Sequence, residues 1–305
     1  MNRFKNILFV LHNDEIPQHA LNHACSLADA NGANLTILAL HPAFPKELEQ
    51  MTDEFTDGMR SKIEQAVEAS GTSVKHEVNF ESKTPYVVTI VNHVQRGKYD
   101  IVFKEAEPLG KGIKRGFRSL DMDLLRKCPC PVWVNRPSQN GTPKILIAVD
   151  PLNDDPAGYD LGIALLQIGT SLAARLNTTA KVVSCWEFEY EGYLRHAPFA
   201  RMDPARVDNM VAEAEKHHKD ALDELIAKAK LETEPPPIAC LHGKPDDQIP
   251  SYIEENGMDL LVMGTVGRTG VPGFFVGNTA ENVLLSLNCA MVAIKPNGFV
   301  SPIKA

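Results

Sequence analysis

The sequence predicts an α/β protein made of two tandem, doubly wound domains, each a five-stranded parallel sheet with the flavodoxin-like order 3-2-1-4-5. Three observations predict it. At 305 residues the chain exceeds a usual single domain, for which about 100–200 residues is ordinary. It repeats itself. Within each repeat, short β-branched runs alternate with long helical segments, the pattern of parallel strands joined by crossover helices.

The elements follow in chain order. The first copy opens on the strand-like run Ile7-Leu8-Phe9-Val10-Leu11-His12, followed by a polar turn and a helical stretch. Its later strands are marked by YDIVF at 99–103 and by CPVWVNRP at 130–137. Ser138 to Pro143, polar and turn-rich, reads as the linker, which places the domains at 1–137 and 142–305. The second copy restarts with Ile145-Leu146-Ile147-Ala148-Val149-Asp150, and repeats the later landmarks as MDLLV at 258–262 and CAMVAIKP at 289–296. These later landmarks share an offset of 159 residues, larger than at the first strands, so the second copy carries an insertion around 186–203.

In the second copy, strands are expected at about 143–150, 179–186, 236–242, 259–264 and 290–295. A helix is expected over 212–230, because Ala214, Ala221, Leu222, Leu225 and Ala229 share one face and Pro235-Pro236-Pro237 bars continuation.

Composition excludes several classes. Apolar residues at 44% and charged residues at 23% are globular values, and the longest apolar runs fall far short of the roughly 18–20 residues that cross a bilayer. The opening MNRFKNILFVLHNDE turns charged too early for a signal peptide, so a cytoplasmic location is expected. A formal charge of −8 argues against nucleic acid and anionic membranes as partners. The six cysteines, at 25, 128, 130, 185, 240 and 289, read as reduced thiols; Cys128 and Cys130 form CPC rather than CxxC, which favours core packing.

The most informative stretch is GTVGRTGVPGFFVGNTAENV, which starts at the end of a predicted strand and enters a helix near Thr279. Closely spaced glycines uncover backbone N–H groups, and a helix start adds free amides at a positive dipole end, so the stretch is suited to an anion. It is neither the Rossmann fingerprint, which must follow the first strand, nor a P-loop, since no GxxxxGK[ST] occurs.

The spacing Gly264, two residues, Gly267, nine residues, Gly277, then a small polar residue resembles the nucleotide loop of the universal stress protein family. Asn278 stands where Ser or Thr is usual in that family, with Thr279 next. The resemblance spans nearly the whole chain, and it implies that the two copies pack as an intrachain pseudo-dimer through their last strands, at 131–135 and 290–295. It implies an Asp at the end of the first strand contacting the adenosine moiety, a demand that Asp150 meets. Ligands of such sheets sit beyond the strands' carboxyl ends at the switch point, where Asp150 and Gly264 both fall. By similarity Met263 offers backbone contacts to the nucleoside, Gly264, Gly267 and Arg268 line the loop, and Gly277, Asn278 and Thr279 hold phosphates.

The first copy fails the same test. Its first strand ends in His12, and Gly264, Gly267 and Gly277 map onto Glu105, Pro108 and Arg118, with Glu105 and Glu107 placed to repel phosphates.

Weaker signals carry plainer readings. Lys111, Lys114, Arg115 and Arg118 could bind an anion but read as a solvated loop among acidic neighbours. His12, Asp14, His19 and His23 are metal candidates, His19 and His23 at i, i+4, although they complete no recognised zinc pattern. Trp186, Phe188, Tyr190, Tyr193 and Phe199 crowd the insertion, to cap the core, line a cavity or meet a partner.

The resemblance thus implies a stress-response protein that binds ATP or another adenine nucleotide through its second copy, with a role in stress survival including resistance to DNA-damaging agents. It leaves open Mg²⁺ beside the phosphates and a further homo-oligomer. The rival readings are a slow ATP hydrolase, and a scaffold or small-molecule carrier using the altered first pocket.

Overall fold

A computed structural model of the chain describes residues 4–12, 15–138, 143–153, 155–196, 202–265 and 277–304. The first half runs β1 (Asn6–Leu11), α1 (Gln18–Asn31), β2 (Asn34–Leu40), a short 3₁₀ turn (Lys46–Leu48), α2 (Met51–Glu68), β3 (Lys75–Glu81), α3 (Tyr86–Gly97), β4 (Ile101–Glu105), α4 (Ser119–Lys127) and β5 (Val132–Asn135). The second runs β6 (Ile145–Ala148), α5 (Pro156–Arg175), β7 (Ala180–Trp186), α6 (Glu191–His196), α7 (Pro204–Ala229), β8 (Ile238–His242), α8 (Pro245–Asn256), β9 (Leu260–Gly264), α9 (Asn278–Ser286) and β10 (Ala290–Ile294).

All the described strands join one ten-stranded sheet in the order β3-β2-β1-β4-β5-β10-β9-β6-β7-β8. Each half therefore has the expected order 3-2-1-4-5, with parallel neighbours throughout. The halves meet where β5 pairs antiparallel with β10, through Val132↔Ala293, Trp133↔Val292 and Val134↔Met291. This is the pairing of last strands expected for a pseudo-dimer. Strands buried on both faces read as continuous apolar runs, and β5 and β10 are buried along their whole length. Alternate side chains feed two apolar layers, one on each face of the sheet, and each layer draws on both halves.

Cations fasten the seam from both sides. Arg136, just past β5, donates to the carbonyl of Leu287 at the end of α9, while Lys295, just past β10, donates to the carbonyl of Leu125 in the last turn of α4. Each half thus supplies a positive group to the negative end of the other half's helix.

Two expectations shift. The helix expected over 212–230 begins instead at Pro204, since Asp203 caps it by accepting from the Ala205 amide and Pro204 suits the first helical position. It ends at Ala229, where Lys230 turns left-handed with φ 47°, before the proline run is reached. The first strand of the second half is shorter than 143–150, so Asp150 lies beyond its end. The insertion contains α6. No described helix is long and apolar enough to cross a membrane.

Candidate functional site

In the second half, β6 and β9 lie side by side, pairing Ala148 with Met263, and their carboxyl ends open into a cleft of about 540 Å³. Asp150 and Asn153 line it from the loop after β6, Met263 and Gly264 from the end of β9, and Gly277, Asn278 and Thr279 from the start of α9. Apolar walls come from Leu161 and Leu165 of α5, Val183 of β7 and Ile249 of α8. The site has the form of ligand pockets generally, mostly apolar with a few convergent polar groups. Six of the eight residues singled out from the sequence are brought together; Gly267 and Arg268 lie outside the described residues.

Each member has a local cause. Asp150 is exposed and its Oδ1 accepts from the Leu152 amide at 3.1 Å, a turn that holds the carboxylate at the rim. Gly264 packs closely on α5, where an added Cβ would stand 2.7 Å from Cδ2 of Leu161 and require that side chain to shift. Gly277 caps α9 with φ −59° and ψ 145°, an extended conformation open to any residue. Its amide donates to the carbonyl of Thr265 at 3.2 Å, joining the two positions that flank 266–276. Anion-binding capacity therefore falls to the next amides, those of Asn278, Thr279 and Ala280, which a helix start leaves without intrahelical partners. Thr265 Oγ1 in turn accepts from Lys295, whose burial pulls its amine down to about 8.

A feature not read from the sequence lies beneath Asp150. Ser184, buried in β7, donates to the carbonyl of Val149 at 3.0 Å and sits 2.8 Å from Nε2 of His218, buried on α7. Burial lowers the His218 pKa, with the Asp150 charge opposing that shift and His217 adding to it. The imidazole is therefore held neutral, and a neutral ring can donate to Ser184 while the hydroxyl fixes the peptide leading into Asp150.

The corresponding place in the first half is filled by the chain itself. Lys104, the counterpart of Met263, is almost fully buried and pairs with buried Asp121 of α4 at 2.7 Å. Asp121 also accepts from the Glu107 amide at 2.8 Å, and Glu107 Oε2 accepts from the Leu120 amide at 3.1 Å. A carboxylate thus occupies the amide at the start of α4 whose counterpart in the second half is that of Thr279. Burial raises the Asp121 carboxyl against the pull of Lys104, and raises Glu105, which accepts from Asn135 at 2.7 Å.

Of the metal candidates, His19 and His23 are neighbours with ring centroids 4.4 Å apart, and His12 packs edge-on against Tyr86. Burial, then the His19 charge, lower the His23 pKa. Asp14 lies outside the described residues, among which no three His, Cys, Asp or Glu side chains gather to hold a metal. In the insertion, Trp186 is buried and stacks on His242 at 4.3 Å, while Tyr190 and Tyr193 are exposed; Phe199 lies outside the described residues. In the basic stretch, Arg115 pairs with Glu254 of the second half at 2.6 Å.

Comparison with known proteins agrees with this architecture. The sequence profile described as the universal stress protein family matches residues 3–136 and again 141–295. Universal stress protein E of Photorhabdus laumondii is 28% identical over 332 aligned positions, covering 100% of this chain and 99% of its own length. Universal stress protein E of Escherichia coli K12 is 28% identical over 320 positions, covering 100% and 98%. In fold the chain is similar to a solved structure from Pseudomonas aeruginosa UCBPP-PA14, with TM-score 0.72 at 24% identity over 97% of this chain and 95% of that one.

Proposed function

The chain belongs to the universal stress protein family, and we propose that its second half, residues 142–305, is a domain that binds an adenine nucleotide such as ATP, while the first, residues 1–137, serves as its built-in pairing partner. The observation that carries this reading is the convergence of Asp150, Met263 and Gly264 with the open end of α9 on one cleft. An anion at the amides of Asn278 and Thr279 would meet the positive end of the helix dipole. The apolar walls suit a base, and the Asp150 carboxylate at the rim suits ribose hydroxyls or the base edge. In this reading the protein acts in the cytoplasm in stress survival, with nucleotide occupancy of the second half as its signal.

Calorimetric titration of the full chain with ATP and AMP tests the proposal, together with mass spectrometry of ligands that co-purify with native protein. The expected result is one nucleotide per chain, bound more weakly by Asp150→Ala. Two equivalent sites per chain, or no adenine nucleotide bound by folded protein, would refute it.

A further inference from the structure

The turn between α4 and β5 reads Cys128-Pro129-Cys130, and spacing alone favours simple packing for the pair. The fold adds three observations. The two Sγ atoms are 3.6 Å apart, in contact, with neither sulfur in a disulfide. Cys128 is fully buried, and Cys130 is partly buried as a residue. The buried ammonium of Lys295, arriving from the second half to bond the Leu125 carbonyl, lies close enough for its charge to act on Cys128.

We propose that Cys128 and Cys130 form a reversible oxidation site, closing to an intrachain disulfide on reaction with a hydroperoxide. Shared hydrogen bonding and the Lys295 charge make the first proton of the pair easier to lose than that of a solitary buried thiol, and the resulting charge makes the second much harder to lose. By contrast, burial pushes the thiols of Cys185 and Cys289 up to about 12.

The steps balance as follows. The single thiolate of the pair attacks the terminal peroxide oxygen; the O–O bond breaks, leaving a sulfenic acid on that sulfur and an alkoxide or hydroxide that takes up a proton. The other sulfur of the pair then attacks the sulfenic sulfur, the S–S bond forms, and hydroxide leaves as water with the second thiol's proton. Two thiols have lost two electrons to the peroxide bond. Because the sulfurs already touch, little chain ordering remains to be paid in the second step. The turn leads directly into β5, since Pro131 accepts from the Val102 amide and Val132 opens the strand that pairs with β10. The oxidised turn therefore sits at the seam between the halves.

The test treats native full-length protein with hydrogen peroxide, quenches it with iodoacetamide in denaturant, and maps unreduced peptides by mass. The expected result is a peptide holding Cys128 and Cys130 that carries no alkyl group, is two hydrogen masses lighter than the dithiol, and returns to the dithiol with dithiothreitol. Cys25, Cys185, Cys240 and Cys289 should remain alkylated. Lys295→Met should slow closure by roughly threefold for each unit that losing the charge raises the thiol pKa, as thiolate fraction falls faster than nucleophilicity rises. Cys130→Ser should abolish the light peptide, and serves as the control should Lys295→Met fail to fold. A dithiol that survives a peroxide dose oxidising Cys25 or Cys240, or a sulfinic acid on Cys130 with Cys128 still a thiol, would overturn the proposal.

Discussion

Replacing Gly277 by valine separates backbone strain from ligand approach at the start of α9. The residue has φ −59° and ψ 145°, so a β-branched side chain meets no left-handed penalty there. What it loses is the preference for glycine over valine at a helix N-cap, about 0.5–1.5 kcal/mol. At about 2–4 °C per kcal/mol for domains of this size, Tm should fall by roughly 1–6 °C. Binding should suffer more. The new side chain stands beside the amides of Asn278 and Thr279, and losing a hydrogen bond to a charged phosphate costs about 1.5–3 kcal/mol, roughly ten- to a hundredfold in affinity. Arg118→Val is the matched control, since Arg118 caps α4 in the first half with φ −76° and ψ 175° and should leave ATP affinity unchanged. Titration calorimetry and thermal melts on both variants measure the two effects. A folded Gly277→Val protein that binds ATP like the parent would refute the placement of phosphates at α9.

Asp150→Ala should weaken ATP and AMP by similar factors, because the carboxylate is assigned to the shared nucleoside; a loss confined to ATP in competition titrations would move Asp150 to the phosphates. Asp121→Ala should destabilise by about 3–5 kcal/mol by stranding Lys104 in the core, and adding Lys104→Met should recover most of that in urea melts; no recovery would mean the pair is not the main term. His218 has a pKa lowered by burial, so the unfolded chain takes up protons first as pH falls below the ordinary histidine value of 6.5. Its contribution is intact above that pH and is lost on acidification, at up to about 1.4 kcal/mol per pH unit. His218→Gln should flatten the Tm profile below that value, and an unchanged profile would remove His218 as its source. Expressed alone, residues 142–305 should re-pair through β10, because Met291, Val292 and Ala293 would otherwise face water along an open strand edge; light scattering that shows a stable monomer would contradict this.

What the sequence made legible was local or periodic. The repeat announced itself through strands that each need only a few neighbouring apolar residues, and the strand order followed from the alternation of elements. Asp150, Met263, Gly264, Gly277, Asn278 and Thr279 could be placed around one cleft because the glycine spacing and the Asp after the first strand resemble a family pattern that lies at a strand end and a helix start. The start of α7 was missed although Asp203-Pro204 is a cap signal, because the aromatic insertion drew the segment into a loop. The Ser184–His218 bond spans 34 positions and Lys104–Asp121 spans 17, and nothing in either partner's own neighbourhood requires the other. The cations at the seam are further beyond reach: Lys295 and Leu125 are 170 positions apart, and only the antiparallel register of β5 on β10 makes them neighbours.

The two halves also differ in how they satisfy one shared problem. A helix start leaves amides that need acceptors, and in each half that start faces the mouth of the sheet. In the first half the need is met internally: Glu107 lends a carboxylate to the Leu120 amide, while Asp121 takes the Glu107 amide and neutralises Lys104. Beside the repulsion of phosphate by Glu105 and Glu107 expected from the sequence, these internal bonds support the proposal that the first half takes no nucleotide. Its helix start already has its anion, and its floor is occupied by a lysine where the second half has Met263. In the second half Glu281, on the first turn of α9, is drawn aside into a pair with Arg126 of the first half. That carboxylate of the helix's own first turn is thus held across the seam, while Asn278 and Thr279 line the cleft. On this account the first half supports the cleft from across the seam, by supplying the arginine that pairs with Glu281 and the helix end that anchors Lys295 beneath Thr265.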